Sequence, residues 1–230
     1  FVQGDQSVFY SLGGTWGYIA GHNGYTMDKY ADKFINSSNY LLGGIFAKIS
    51  KAYSGSTTSI IRFKIWEEDL AGLPGTELYS KEVFIDSLNP SGINYNYIEF
   101  DSLVYVGNNF FAGFSIFYPN PQDTIITNVA LNRTSSPFNT AYTYYNGSWT
   151  SFTNLFGASL GYTSLDIKIL RCPFTSVPTA DLSALNTSIV QGGFAYYQDQ
   201  SNGYPTNYSW YFPGGNPSTS TNENPIIQYP

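Results

Sequence analysis

Sulfur and charge are both scarce in this chain. One cysteine, one methionine and one histidine stand among 230 residues. A lone Cys172 excludes an internal disulfide, so stability has to come from burial. Lys and Arg total 10 against 16 Asp and Glu, for a net charge of −6. The few cations are scattered, and none lies beyond Arg171. Nucleic acid and anionic membrane surfaces both require basic patches, so neither is an expected partner. No apolar run approaches the roughly 18 residues of a membrane helix, and no membrane insertion is expected. The first residues, FVQGDQSVFY, have neither the basic start nor the apolar core of a signal peptide and read as a mature or trimmed end.

Aromatic residues fill the space that charge leaves, with 21 Tyr, 17 Phe and 4 Trp. Tyr, Phe, Thr and Ile favour pleated, half-buried surfaces. Gly, Asn and Ser recur between the apolar runs as turn punctuation. The expected class is all-β. In SIIRFKIW, Ile61, Phe63 and Ile65 alternate with Arg62, Lys64 and Trp66. In SLDIKIL, Leu165, Ile167 and Ile169 alternate with Asp166 and Lys168, and in GGIFAKIS Ile45, Ala47 and Ile49 alternate around Lys48. Such alternation marks antiparallel strands with one solvated face. NFFAGFSIFY is apolar on both faces and reads as a central strand. Asn146-Gly147 signals a two-residue hairpin turn, and Leu73-Pro74-Gly75 a loop after an acidic strand end. About ten strands precede residue 172, at the spacing of a sandwich or jelly roll. One segment breaks the rule. In YTMDKYADKF, Met27, Tyr30, Ala31 and Phe34 fall at helical spacing and predict one or two helical turns.

The composition changes at CPFTSVP, so the expected domains are 1–175 and 176–230. Beyond it Asp181, Asp199 and Glu223 are the only ionisable side chains apart from Tyr. SWYFPGGNPSTSTNENPIIQY, with Trp210, Phe212, Gly214, Gly215, Ser218, Asn224, Pro225 and Tyr229, resembles the middle of a PKD repeat. Asp181, Val190, Gly192 and Ser201 match its opening strands, and the likeness runs from Pro178 to Pro230. Pro213 and Gly214 depart from the usual Gly and Asp of that turn. The resemblance implies a partial immunoglobulin-like β-sandwich, cut before its last strands, with Trp210 as a buried core residue. It also implies a spacer in a longer extracellular protein. GYIAGHNGYTMDKYADKF, FKIWEEDLAGLPGTELYSKEV, FFAGFSIFY and YNGSWTSF resemble a non-catalytic β-sandwich module found beside PKD repeats and secreted peptidase domains in bacterial surface proteins. That implies a jelly-roll-like first domain. A single thiol agrees with a bacterial exported protein.

Catalysis finds little to stand on. His22, the one histidine, lies in the Gly-rich GHNG turn, and no GxSxG elbow surrounds a serine. One His and one Cys far apart make no zinc ligand set. Calcium, which takes carboxylate and carbonyl oxygens at loops, is the metal the residues could hold structurally. Its candidate ligands are Asn23, Asp28 and Asp32, and Glu67, Glu68 and Asp69. Lys29 and Lys33 could neutralise the first set, and solvation the second, without any ion. For carbohydrate, the hairpin turning on Asn146-Gly147 puts Tyr144 opposite Trp149. Tyr142, Tyr144 and Trp149 then share one face, as a stack for sugar rings or as cover for the core. Trp66, sharing its face with Arg62 and Lys64, is a further exposed candidate, or packs under those cations. The expected function is a non-enzymatic binding or spacer module of an adhesin-like bacterial surface protein. Its partners would be a glycan or protein at the cell surface and the rest of its own longer chain. The alternative is an accessory domain of a secreted peptidase or glycoside hydrolase.

Overall fold

Strands form nearly all the regular structure, as the alternating apolar pattern requires. The computed structural model describes residues 6–14, 16–131, 139–157, 163–172, 179–201 and 207–230. The chain divides into two units, Phe1–Cys172 and Pro173–Pro230. The expected boundary at 173–178 lies outside the described residues.

Thirteen strands are described in the first unit, against about ten expected. They are β1 (Gln6–Val8), β2 (Lys29–Ile35), β3 (Tyr40–Tyr53), β4 (Ile60–Glu68), β5 (Pro74–Phe84), β6 (Tyr95–Val106) and β7 (Asn109–Ser115). Then follow β8 (Thr124–Thr127), β9 (Val129–Leu131), β10 (Ala141–Tyr145), β11 (Ser148–Ser151), β12 (Ser164–Leu165) and β13 (Ile167–Cys172). A 3₁₀ turn at Ile85–Ser87 and one short helix, α1 (Phe152–Phe156), complete the set. Ser151 caps α1 by accepting the Asn154 N–H. Six strands make one antiparallel sheet in the order β11-β10-β2-β7-β4-β5. A second sheet runs β13-β3-β6, with β8 on the far part of β3, and a third is β1-β9-β12.

The core explains this arrangement. Ile45 and Ile49 of β3 and Ile98 of β6 share one buried cluster with Ile61, Phe63 and Ile65 of β4 and Phe110 and Phe114 of β7. Each such side chain contributes roughly 1.5–3 kcal/mol on burial. β7 lies between β2 and β4 and is buried on both faces, as its unbroken apolar run demands. Phe110, Ala112 and Phe114 face this core. By alternation Phe111, Gly113 and Ser115 lie on the opposite, outer face. Pro74 and Gly75 open β5 rather than closing the loop before it; Asp69 N–H donates to the Leu73 carbonyl there at 2.9 Å. β5 is an edge strand, and its Glu77, Lys81 and Glu82 all form ion pairs.

The helical turns expected in Tyr25–Phe34 are not there. Lys29–Ile35 is a strand held between β10 and β7. Tyr30 and Phe34 pack on the core and Ala31 packs on the outer face. Both faces of β2 are therefore covered, and its buried Asp32 breaks the alternation that would have revealed a strand. Asp166 departs from expectation in a similar way. It is 1 % exposed, at the step between β12 and β13, where the pattern put a solvated position.

The second unit has five described strands: β14 (Leu182–Ala184), β15 (Phe194–Asp199), β16 (Trp210–Tyr211), β17 (Thr219–Ser220) and β18 (Ile226–Gln228). They form the sheets β14-β15-β18 and β16-β17. Ala195, Phe212 and Ile227 are buried here. Trp210, expected in the core, is only half-buried; its indole N–H donates to the Asn222 carbonyl at 2.8 Å and it stacks on Phe212. Gly215 packs against Ile227, where a Cβ would meet the Cγ2 atom at 2.5 Å. Asn224 accepts the Asp199 N–H at 3.0 Å, and Tyr229 meets Tyr197 hydroxyl to hydroxyl at 3.1 Å, raising the Tyr197 pKa to about 12.

Candidate ligand-binding face

The hairpin β10–β11 forms in the expected register. Asn146 and Gly147 have φ of 50° and 82°, the left-handed pair that a tight hairpin turn of this hand needs. Tyr144 pairs with Trp149 and Tyr142 with Ser151. Ala141 lies in the core and Tyr145 packs against it. Tyr142 and Trp149 instead pack against Ala31, Trp66 and Phe111, a separate cluster on the outer face. The three hairpin aromatics therefore do not cover the core.

Strand register extends this face across the sheet. Tyr144 pairs with Lys29, Lys29 with Ser115, and Ser115 with Arg62. In the next row Tyr142, Ala31, Gly113 and Lys64 follow one another. Small residues thus floor the middle, and large side chains fold over them. Trp149 reaches Trp66, with ring centroids 5.5 Å apart and planes at 76°, and Tyr144 at 5.6 Å and 73°. Tyr142 meets Phe111 at 5.4 Å and 89°. These are edge-to-face contacts, which aromatic quadrupoles favour. The Lys29 ammonium stands 4.0 Å over the Tyr144 ring and Lys33 lies 5.8 Å over Phe111. Trp66, expected to be exposed or packed under Arg62 and Lys64, is 4 % exposed: neighbouring rings bury it, while Arg62 and Lys64 turn to Glu82 and Glu77. Trp149, Tyr142 and Tyr144 remain half-exposed. Beneath them the Ser115 hydroxyl is buried, the residue 5 % exposed, without a hydrogen-bond partner. Sequence reasoning missed Ser115, Lys29 and Phe111, because only the register brings them here.

The calcium candidates do not assemble. Asn23 is a loop organiser. Its side-chain amide donates to Tyr18 O, Gly21 O and the Tyr30 hydroxyl, and its Oδ1 accepts the Tyr25 and Met27 N–H groups. Asp32 is buried and accepts from Thr140 Oγ1 at 2.7 Å and Leu165 N–H at 3.4 Å. Asp28 and Asp32 are separated by four residues of extended chain, about 13 Å. Glu68 pairs with Lys33 and accepts from Asn109 at 2.7 Å. Burial pushes its pKa up, but those two partners outweigh it and hold it below the ordinary value. Asp69 closes its own turn by accepting the Ala71 and Leu73 N–H groups at 2.8 and 2.9 Å, and Glu67 is exposed. Among the described residues no three His, Cys, Asp or Glu side chains converge as a metal site.

Elsewhere Ser7, Lys48, Tyr95, Asn128 and Asp166 meet in a polar cluster that no motif signals. The Ser7 hydroxyl donates to Asp166 and accepts from Lys48 at 3.3 Å and Asn128 at 3.1 Å. Its proton and both lone pairs are engaged within the cluster. Tyr95 donates to Asp166 at 2.7 Å, and desolvation beside that carboxylate raises its pKa. His22 is equally occupied. One ring nitrogen lies 2.8 Å from the Phe117 carbonyl and Nδ1 accepts the Ile125 N–H at 2.9 Å, while burial lowers its pKa. Among the described residues no helix is long and apolar enough to cross a membrane.

No family model, curated protein or solved structure matches this chain.

Proposed function

We propose that the chain is a non-catalytic binding module of an exported bacterial cell-surface protein, and that it holds a glycan on the outer face of its six-stranded sheet. The observation that carries this is the row of half-exposed rings, Tyr142, Tyr144 and Trp149, turned away from the core. A folded chain has no need of aromatics there for its interior. Sugar rings offer apolar C–H faces to such side chains and hydroxyls to polar groups beside them. Lys29 stands beside Tyr144 in the same row, over the buried Ser115. The rings meet edge to face, so one sugar would lean on Trp149 rather than lie along a flat three-ring platform. On this reading the first unit is a jelly-roll-like module and the second a PKD-like spacer, as the sequence resemblances imply.

A glycan array probed with the whole chain tests the proposal. Binding that Trp149→Ala removes, with the melting temperature of the variant measured alongside, is the expected result. An array without signal, or binding that Trp149→Ala and Tyr144→Ala leave intact, would sink it.

A further inference from the structure

We propose a second saccharide site, on the Gly-rich loop before β2, in which Trp16 stacks one neutral pyranose ring. It shares the ligand class proposed above but none of its residues, so either can fail alone. Trp16 is 51 % exposed and lies parallel to Tyr25, with centroids 5.0 Å apart and planes at 20°. Tyr25 in turn meets Tyr145 edge-on at 6.0 Å. Tyr25 covers one face of the indole, yet half of the Trp16 surface stays open to a ligand.

The loop is built to hold that ring still. Trp16 N–H donates to Gly13 O at 3.2 Å, and Gly24 N–H donates to Trp16 O at 2.8 Å. A Cβ on Gly24 would come within 3.0 Å of Trp16 Cε3, so the glycine lets the ring lie on the backbone. Gly17 has φ of 81° and no room for a Cβ beside His22 O. Asn23 ties the loop together from inside, and His22 fastens it to Ile125 in both directions, N–H to O at 2.9 Å and Nδ1 to N–H at 2.9 Å. A large exposed ring fixed by this many bonds is preorganised, which lowers the entropy cost of binding.

Size and charge select the ligand. A stable protein interface needs about 800 Å² on each side, far more than one indole face supplies. Residues 6–27 contain no Asp, Glu, Lys or Arg, so a charged ligand meets no counter-ion on this loop. Tyr25 and Tyr145 add two further uncharged rings beside it. A flat apolar ring in an uncharged loop matches the C–H face of a neutral pyranose.

Affinity electrophoresis of the whole chain decides it, in gels each containing one neutral polysaccharide: a β-glucan, a xylan or a galactomannan. Trp16→Ala should weaken retardation in at least one gel by roughly tenfold in apparent affinity, about 1.4 kcal/mol. Trp16→Phe, which keeps a flat ring, should retain most of it. A Trp16→Ala variant retarded like the parent in every gel overturns the inference, as does a parent that no polysaccharide retards. Loss in Trp149→Ala with Trp16→Ala unaffected would remove this site and leave the sheet face. The opposite pattern would leave this site alone.

Discussion

Two tryptophans of the first unit, Trp66 and Trp16, sit in opposite kinds of surroundings. Trp66 lies in a strand, roofed by Trp149 from four strands away in the sheet order, and hardly touches solvent. Trp16 lies in a loop, propped on Tyr25 and Gly24, and gives half its surface away. One is buried by contacts that the sheet register creates. The other is fixed by backbone hydrogen bonds and left open. An aromatic residue held rigid without being buried contributes little to the interior, and its value lies in what it can touch.

That contrast can be broken from the stability side. Trp66→Ala should cost about 3–5 kcal/mol, the range for an aromatic removed from a packed site. Urea unfolding measures it, and a loss below about 1 kcal/mol would mean the outer cluster is not a true mini-core. Gly113→Ala comes next. It lies in the floor beneath that cluster, where a Cβ would land on the Tyr30 carbonyl of β2. About 1–3 kcal/mol should be lost through overpacking, seen in the same unfolding curves.

The loop side is tested by pH. Burial lowers the His22 pKa below 6.5, against the opposing charge of Asp123, while the Tyr118 ring packs edge-on against the imidazole. The unfolded chain takes up a proton near pH 6.5, whereas the folded one resists until lower pH. Stability is therefore full above pH 6.5 and falls as the pH drops toward the folded value. Melting temperatures at pH 7.5 and 5.5 should differ more for the parent than for His22→Gln; equal differences would remove His22 as the cause. The smallest effect belongs to Trp16→Ala, at most about 1 kcal/mol, the worth of one exposed ring pair. A larger loss would make Trp16 a packing residue and weaken the case for its open face.

Much of the fold was legible because its signals are local. Asn146-Gly147 needs only two residues to fix a hairpin, and the hairpin fixes which aromatics share a face. Ile61, Phe63 and Ile65 declare a core-facing strand by period alone. The unread parts are those that distant chain segments decide. β2 looked helical because Asp32 occupies an inward position and Ala31 an outward one that is nonetheless covered. Trp66 looked exposed because nothing in SIIRFKIW foretells Trp149. Asn23 and Asp32 carry the right oxygens for calcium but spend them on loop and core hydrogen bonds. Trp16 gave no sign until the glycines around it were seen to shape its perch.

The Ser7–Asp166 contact ties the first described strand to the start of the last strand of its unit, across 159 residues of chain. Lys48, Tyr95 and Asn128 reinforce the tie from three other segments. In a chain anchored at one end and pulled at the other, tension would enter this unit at β1 and leave it at β13. The load would meet that knot of charge and hydroxyls before it reached the apolar interior. A buried carboxylate can thus serve as a mechanical fastener between the two ends of a unit.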